Sequence, residues 1–278
     1  MPALGDFEIL SVNPSAYWWD GGALFGVVPK TLWNRRIPAD ELNRIPLAFN
    51  CYLIRTGSHN ILVETGLGDK RDARERERMR LPAVTESLPA VIAGQGIDPD
   101  SIDIVINSHL HWDHCSGNTI LRGETAEPAF PRARYYAPHG EWEHAHERSV
   151  RDAVSYIDAN YDPLVESGRM TLVEDDLEVL PGIWMRTAPG HTRSMMVVTA
   201  ESAGQTFCFL SDLAPTIAHL PPTWVTAFDL YPLETISTKV KWLTAAVEGN
   251  WLCGFGHDQT PFARIGLDAK KQFVAVVA

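Results

Sequence analysis

Residues Ser108 to His114 read SHLHWDH, so three imidazoles and one carboxylate fall within six positions directly after an apolar run. Imidazole nitrogens suit zinc and other borderline divalent metals, and a carboxylate ligand suits a site that must also polarise an oxygen substrate. Four ligand-type side chains so close together point to a metal-binding loop rather than to a surface cluster or a satisfied core histidine. Neighbouring ligands on one loop can also diverge, so His109, His111, Asp113 and His114 can serve two ions.

Such a loop needs a rigid support, and Ile102 to Asn107 (IDIVIN) reads as a buried β-strand that delivers it. Three further units repeat the arrangement. Ile183 to Ala188 (IWMRTA) runs into the turn Pro189 to Thr192 (PGHT), which carries His191, before Met195 to Ala200 (MMVVTA) continues as the next strand. Thr206 to Leu210 (TFCFL) ends at Ser211 and Asp212, and Trp251 to Phe255 (WLCGF) ends at Gly256, His257 and Asp258. Near the start, Asn50 to Arg55 and Asn60 to Glu64 flank a turn and predict a β-hairpin leading into TGLGD. Thr85 to Gln95 and Leu233 to Val247 are the better helix candidates, and Glu141 to Arg148 also has helical character. Strands in both halves with helices between them predict a layered α/β architecture with its site at strand ends between two sheets.

Composition narrows the function. The 278 residues are 45% hydrophobic and 21% charged, which suits a globular protein with a substantial core. A net charge of −11 without a basic stripe argues against nucleic-acid binding. No apolar run approaches the roughly 18 residues of a membrane span, and Met1 to Leu10 lacks the pattern of an export signal. The expectation is a cytoplasmic protein that contacts neither membrane nor nucleic acid. Cys51, Cys115, Cys208 and Cys253 form no CxxC pair and read as reduced, mostly buried thiols, Cys115 as a small packing residue. The mixed-sign run Lys70 to Arg80 reads as a solvated helical face that can also cover a site, and His144 and His146 read as exposed helix residues.

Taken together, HLHWDH at His109 to His114, PGHT at Pro189 to Thr192, Ser211–Asp212 and Gly256–His257–Asp258 resemble the metallo-β-lactamase superfamily in type, order and separation. The resemblance covers nearly the entire chain. It implies a single domain over residues 1–278 with a four-layer αββα sandwich and two divalent metal ions, usually Zn²⁺, in the cleft between the sheets. Position by position it implies His109, His111 and His191 around the first ion, Asp113, His114 and His257 around the second, and Asp212 bridging both. VETGLG departs from the pattern, because Glu64 stands where the family normally has an aspartate that orients the ligand loop, and this raises the question of a rearranged support.

Gly21 to Lys30 (GGALFGVVPK) with Asn43 to Ile54 look like the branch that contains quorum-quenching N-acyl-homoserine lactone lactonases. A bridging Asp212 argues against true β-lactamases, and His111 with no flavin domain argues against the flavodiiron branch. The resemblance therefore implies a lactone-opening hydrolase, with attack by a metal-bridging hydroxide and Asp113 as proton shuttle beside its ligand role. The position where some lactonases place a substrate-binding tyrosine is vacant, since Leu213, Ala214 and Pro215 follow Asp212; Tyr231 and His219 are the candidate replacements. Tyr17, Trp18 and Trp19, with Phe25 and Trp33, can wall a pocket for an acyl chain, and an N-terminal arm of about 45 residues can serve that wall or a homodimer contact. Organophosphate triester or other ester hydrolysis is the competing activity, and a non-catalytic metal-dependent signal-binding protein is the competing class.

Overall fold

Strand after strand in this chain is apolar on both faces, which obliges each sheet to be covered on both sides. The computed structural model describes residues 3–82 and 86–276 and shows how that is done. In Cys51–Arg55, Cys51 and Leu53 face one core while Tyr52 and Ile54 face another. Ile104–Ile106 divides the same way, with Val105 on the first side and Ile104 and Ile106 on the second. In Gln205–Phe209, Phe207 and Phe209 enter the shared core while Cys208 points to a third cluster. The period of two in the strand thus distributes each run between two layers.

Two seven-stranded sheets result. The first runs in the order Ala3–Leu4, Phe7–Val12, Cys51–Arg55, Asn60–Val63, Ile104–Ile106, Arg134–Pro138 and Met170–Val173. The second runs Leu177–Leu180, Ile183–Thr187, Met196–Ser202, Gln205–Phe209, Leu252–Gly254, Phe262–Leu267 and Phe273–Val276. Their facing sides share the core that contains Tyr52, Ile106, Val198 and Phe207. Helices Leu88–Gly94, His139–His146 and Asp162–Glu166 pack outside the first sheet, and Pro232–Glu248 packs outside the second through Trp242, Leu243 and Ala246. This is the expected αββα sandwich.

The expected hairpin forms, with Cys51–Arg55 antiparallel to Asn60–Val63. The strand before the histidine loop is shorter than Ile102 to Asn107, because the chain leaves the ladder after Ile106 and the Ser108 amide turns to the Glu64 carboxylate. The helix expected from Thr85 begins at Leu88 behind an N-cap Ser87; Thr85 itself lies outside the described residues. Within Lys70 to Arg80 the helix is Ala73–Arg78, opened by a capping box between Asp72 and Glu75.

The N-terminal segment has two parts. Ala3–Leu4 and Phe7–Val12 extend the first sheet, whereas Ala16–Asp20 pairs with Arg44–Ala48 in a separate two-stranded ribbon. Short helices Gly21–Phe25 and Lys30–Trp33 fill the connection, and a cluster including Tyr17, Phe25, Trp33, Phe49 and Trp112 packs the ribbon over the strand ends. Among the described residues no helix is long and apolar enough to cross a membrane.

Candidate metal centre

Each of the four strand-to-ligand connections is held by backbone contacts. After Ile106, the histidine loop closes into the short helix Trp112–Cys115, and the His114 carbonyl accepts from the amides of Thr65 and Gly66 at 2.8 and 3.1 Å. Gly68, at φ +64, presses against Ser116 so closely that a Cβ would strike its carbonyl oxygen, which explains a glycine in TGLG. On the other sheet, the Leu230 amide donates to the His191 carbonyl at 2.9 Å, and the His257 amide donates to Pro215 at 2.9 Å. Asp212 sits in the turn Ser211–Leu213, directly beyond Gln205–Phe209.

These connections bring together all seven side chains singled out in the sequence. Three sets of donor atoms each lie within 4.8 Å of one another: His109, His111 and His191; His109, His114 and Asp212; Asp113, His114 and His257. Asp212 reaches in two directions, with Oδ1 at 3.3 Å from Nε2 of both His114 and His257 and Oδ2 at 3.3 Å from Nε2 of His191. Asp113 Oδ2 lies 3.6 Å from His257 Nε2. The imidazoles approach one another closely as well, His114 and His257 at 3.2 Å between Nε2 atoms and His111 Nδ1 to His191 Nε2 at 3.1 Å.

The outer contacts determine which nitrogens carry protons. His257 Nδ1 stands 2.9 Å from the Ala48 carbonyl, and a carbonyl only accepts, so Nδ1 holds a proton and Nε2 is the nitrogen turned towards the other donors. His191 Nδ1 faces the Asp229 carboxylate at 2.9 Å with the same result. His109 Nδ1 is 3.0 Å from Ser108 Oγ while its Nε2 is buried without a hydrogen-bond partner, as are His111 Nε2 and Asp212 Oδ1. Burial, with neighbouring imidazoles, pushes His109 well below the ordinary imidazole range, and burial does the same at His111, so both rings are neutral. Burial alone would raise Asp212, but positive charge on His114, His191 and His257, whose own pKa values Asp212 raises in turn, outweighs it and holds its carboxyl well below the usual range. Imidazole nitrogens and a carboxylate therefore converge in a buried space, and a divalent cation is the group that takes the place of the protons among them.

Glu64 answers the question its extra methylene raised. With its backbone at φ +64, its Oε1 accepts the Ser108 amide at 2.9 Å and its Oε2 comes 3.6 Å from His114 Nδ1. The longer side chain thus sits at the base of the histidine loop.

A cleft of about 830 Å³ opens on the donors His111, Asp113, His191, Asp212 and His257. Tyr17, Trp18, Trp19, Leu24, Met79, Trp112 and Phe228 supply its apolar wall. Phe25 and Trp33, expected in that wall, are buried behind it as stacked rings 5.1 Å apart. Neither Tyr231 nor His219 lines the cleft. Tyr231 caps the helix Pro232–Glu248 under the Arg193 guanidinium, and His219 is fully buried, bonded to Thr216 Oγ1 at 2.7 Å and the Leu24 carbonyl at 2.8 Å and stacked on Phe25. The charge run is not wholly solvated either, since Arg71, Glu75 and Arg78 reach the cleft. His144 and His146 pair with Asp152 and Asp162 outside the donor sets, and Asp258 accepts the amides of Ile217 and Thr260.

One contributor escaped sequence reasoning, and another was read only as part of the pocket wall. Asp229, in the AFDLYP segment, orients His191, and nothing in its local sequence marks it. Tyr17 places its hydroxyl 3.2 Å from His257 Nδ1. Because that nitrogen carries the proton directed at the Ala48 carbonyl, the phenol does not donate to it and its own proton remains available in the cleft. Burial pushes the phenol pKa well above its ordinary value, so the proton stays on it.

Residues 45–257, well over half of the chain, match the family described as the metallo-beta-lactamase superfamily. An N-acyl homoserine lactonase from a Bacillus species is 28% identical over 182 residues, covering 61% of this chain and 65% of that protein. The match therefore spans less than two thirds of that relative's length. Among solved structures, a probable metal-dependent hydrolase from Staphylococcus aureus aligns over 100% of this chain and 99% of its own, with 29% identity and a TM-score of 0.90. A dizinc quorum-quenching lactonase, solved with an N-acyl-L-homoserine product, aligns over 100% and 96% with a TM-score of 0.80; at 18% identity it is a likeness of fold. The chain belongs to the metallo-β-lactamase superfamily.

Proposed function

We propose that this member of the metallo-β-lactamase superfamily is a binuclear zinc hydrolase that opens lactone rings, with N-acyl-homoserine lactones as its substrate class. The observation that carries the reading is Asp212, whose two carboxylate oxygens each stand 3.3 Å from imidazole nitrogens of different donor sets. That arrangement suits a carboxylate shared by two ions. His109, His111 and His191 would hold one, and Asp113, His114 and His257 the other. A divalent pair supplies a water ionised near neutral pH and polarises an ester carbonyl.

The remaining work falls to the chain itself. Asp113 is the more open carboxylate, with 18% of its side chain exposed at the cleft, and is the group placed to carry a proton towards a leaving alkoxide. Tyr17 offers a hydroxyl proton from the same wall, and Trp18, Trp19 and Trp112 provide apolar surface for an acyl chain. The lactonase relative and the lactonase fold neighbour support the substrate class.

The test is to follow acid release from N-acyl-homoserine lactones of several chain lengths, using metal-loaded protein, chelated protein and the Asp212→Ala variant. Ring opening that requires metal and is lost in the variant upholds the reading. Faster turnover of paraoxon-like triesters than of any lactone moves the assignment to organophosphate hydrolysis, and ligand binding without turnover moves it to a signal-binding protein.

A further inference from the structure

Arg71 lies on the cleft wall just before the helix Ala73–Arg78, with 10% of its side chain exposed. Its guanidinium covers the Trp112 ring at 4.2 Å from the centroid, so one face of the group is engaged. Nη1 is engaged too, 2.5 Å from Glu75 Oε1. Nε and Nη2 make up the remaining edge, two N–H donors side by side, and neither has an acceptor among the described residues. A guanidinium does not release its proton in a protein, so ionisation does not relieve buried donors left unmet.

The neighbouring charges leave this edge unpaired. Arg44, on the same cleft, is already paired with Asp40 at 2.9 Å. Asp20 accepts from the Ala23 amide and from Asn43, and Glu75 is taken by Arg71 and the Asp72 amide. Arg78 adds a further positive charge beside Trp19. Two parallel N–H donors on one rigid edge match the two oxygens of a carboxylate, and a point charge such as lysine does not reproduce that fork. Trp112 stands between His111 and Asp113, so an anion held at Arg71 shares the cleft with a bond reacting at the donor sets.

We propose that Arg71 is a specificity-determining residue whose Nε and Nη2 edge receives a carboxylate on the part of the substrate remote from the bond being cleaved, while Trp112 and Glu75 fix the guanidinium. The inference rests on the hydrolase reading above for the reacting bond, and it adds a substrate class: lactones or esters whose acyl portion ends in a carboxylate.

The experiment compares metal-loaded wild type with Arg71→Met and Arg71→Lys on two lactones of matched length, N-hexanoyl-homoserine lactone and its counterpart with a carboxylate at the end of the acyl chain. The wild type is expected to show a lower KM for the carboxylated lactone. Arg71→Met is expected to lose at least about tenfold more kcat/KM on the carboxylated lactone than on the hexanoyl one, with only partial recovery in Arg71→Lys. Equal losses on the two substrates, or a wild-type preference for the uncharged chain that Arg71→Met leaves in place, overturn the inference and make Arg71 a prop for Trp112. If neither lactone is opened, the lactonase reading fails. The carboxylate site is then judged by calorimetric titration with adipate: binding to wild type that Arg71→Met abolishes upholds it, and no binding to wild type overturns it.

Discussion

At the scale of single residues, the centre depends as much on what holds the imidazoles as on the imidazoles themselves. Asp229 fixes the proton on His191 Nδ1 and so aims the Nε2 lone pair inward. Asp229→Asn keeps the volume but loses the charge, and metal affinity measured by equilibrium dialysis is expected to fall about 10- to 100-fold with the fold intact. His219 contributes differently. Burial, reinforced by the Lys239 cation, pushes its pKa down to about 3, whereas an unfolded chain protonates near about 6.5. Between these values the unfolded state binds more protons, so the contribution is complete above about pH 6.5 and is lost as pH falls towards 3. In urea unfolding of the metal-free protein, wild type is expected to lose about 2 kcal/mol more than His219→Gln between pH 6.5 and 5.

At the scale of elements, strand ends set the positions and tight connections set the directions. The segment Thr65 to Gly68 bridges from the first sheet to the histidine loop, where Gly68 leaves no space for a side chain. Gly68→Ala is expected to cost about 2 kcal/mol or more in chemical denaturation, through both its positive φ and the contact with Ser116, and to lower metal content in parallel. On the opposite sheet, the helix Pro232–Glu248 sends the buried Lys239 ammonium to the carbonyls of Trp224 and His219 at 2.8 and 3.3 Å. The loop so held carries Thr226 and Phe228 to the cleft and Asp229 to His191.

At the scale of the whole molecule, the cleft joins the two sheets and the N-terminal ribbon, since its walls come from Trp18 and Trp19, from Trp112 and Asp113, and from Asp212 and His257. Donors from both sheets meet there, so ions bound among them would link the two halves of the sandwich. Binding confined to the folded state stabilises by mass action, about 2.7 kcal/mol at a free metal concentration one hundred times Kd. Chelation is accordingly expected to lower the Tm measured by calorimetry, and restoring zinc is expected to return it; an unchanged Tm would count against a shared centre.

What the amino-acid sequence determined by itself is local: imidazoles and carboxylates placed directly after apolar strands, and apolar runs that require cover on both faces. From these, together with the resemblance to the metallo-β-lactamase superfamily that their order carries, the layered fold and the convergence of His109, His111, Asp113, His114, His191, Asp212 and His257 were legible, because ligand type and strand end are both written within a few residues. The tertiary structure decided what depends on distant partners. Tyr17 meets His257 across 240 positions and Asp229 meets His191 across 38, and no local pattern encodes either contact. Tyr231 and His219 stand near Asp212 in sequence yet turn away from the cleft, because the side to which a loop folds is set by packing, here a cap beneath the turn at Gly190 and a stack on Phe25. The unpartnered edge of Arg71 is likewise visible only in space, since Trp112 and Glu75 must both be in place before its two remaining donors are left over.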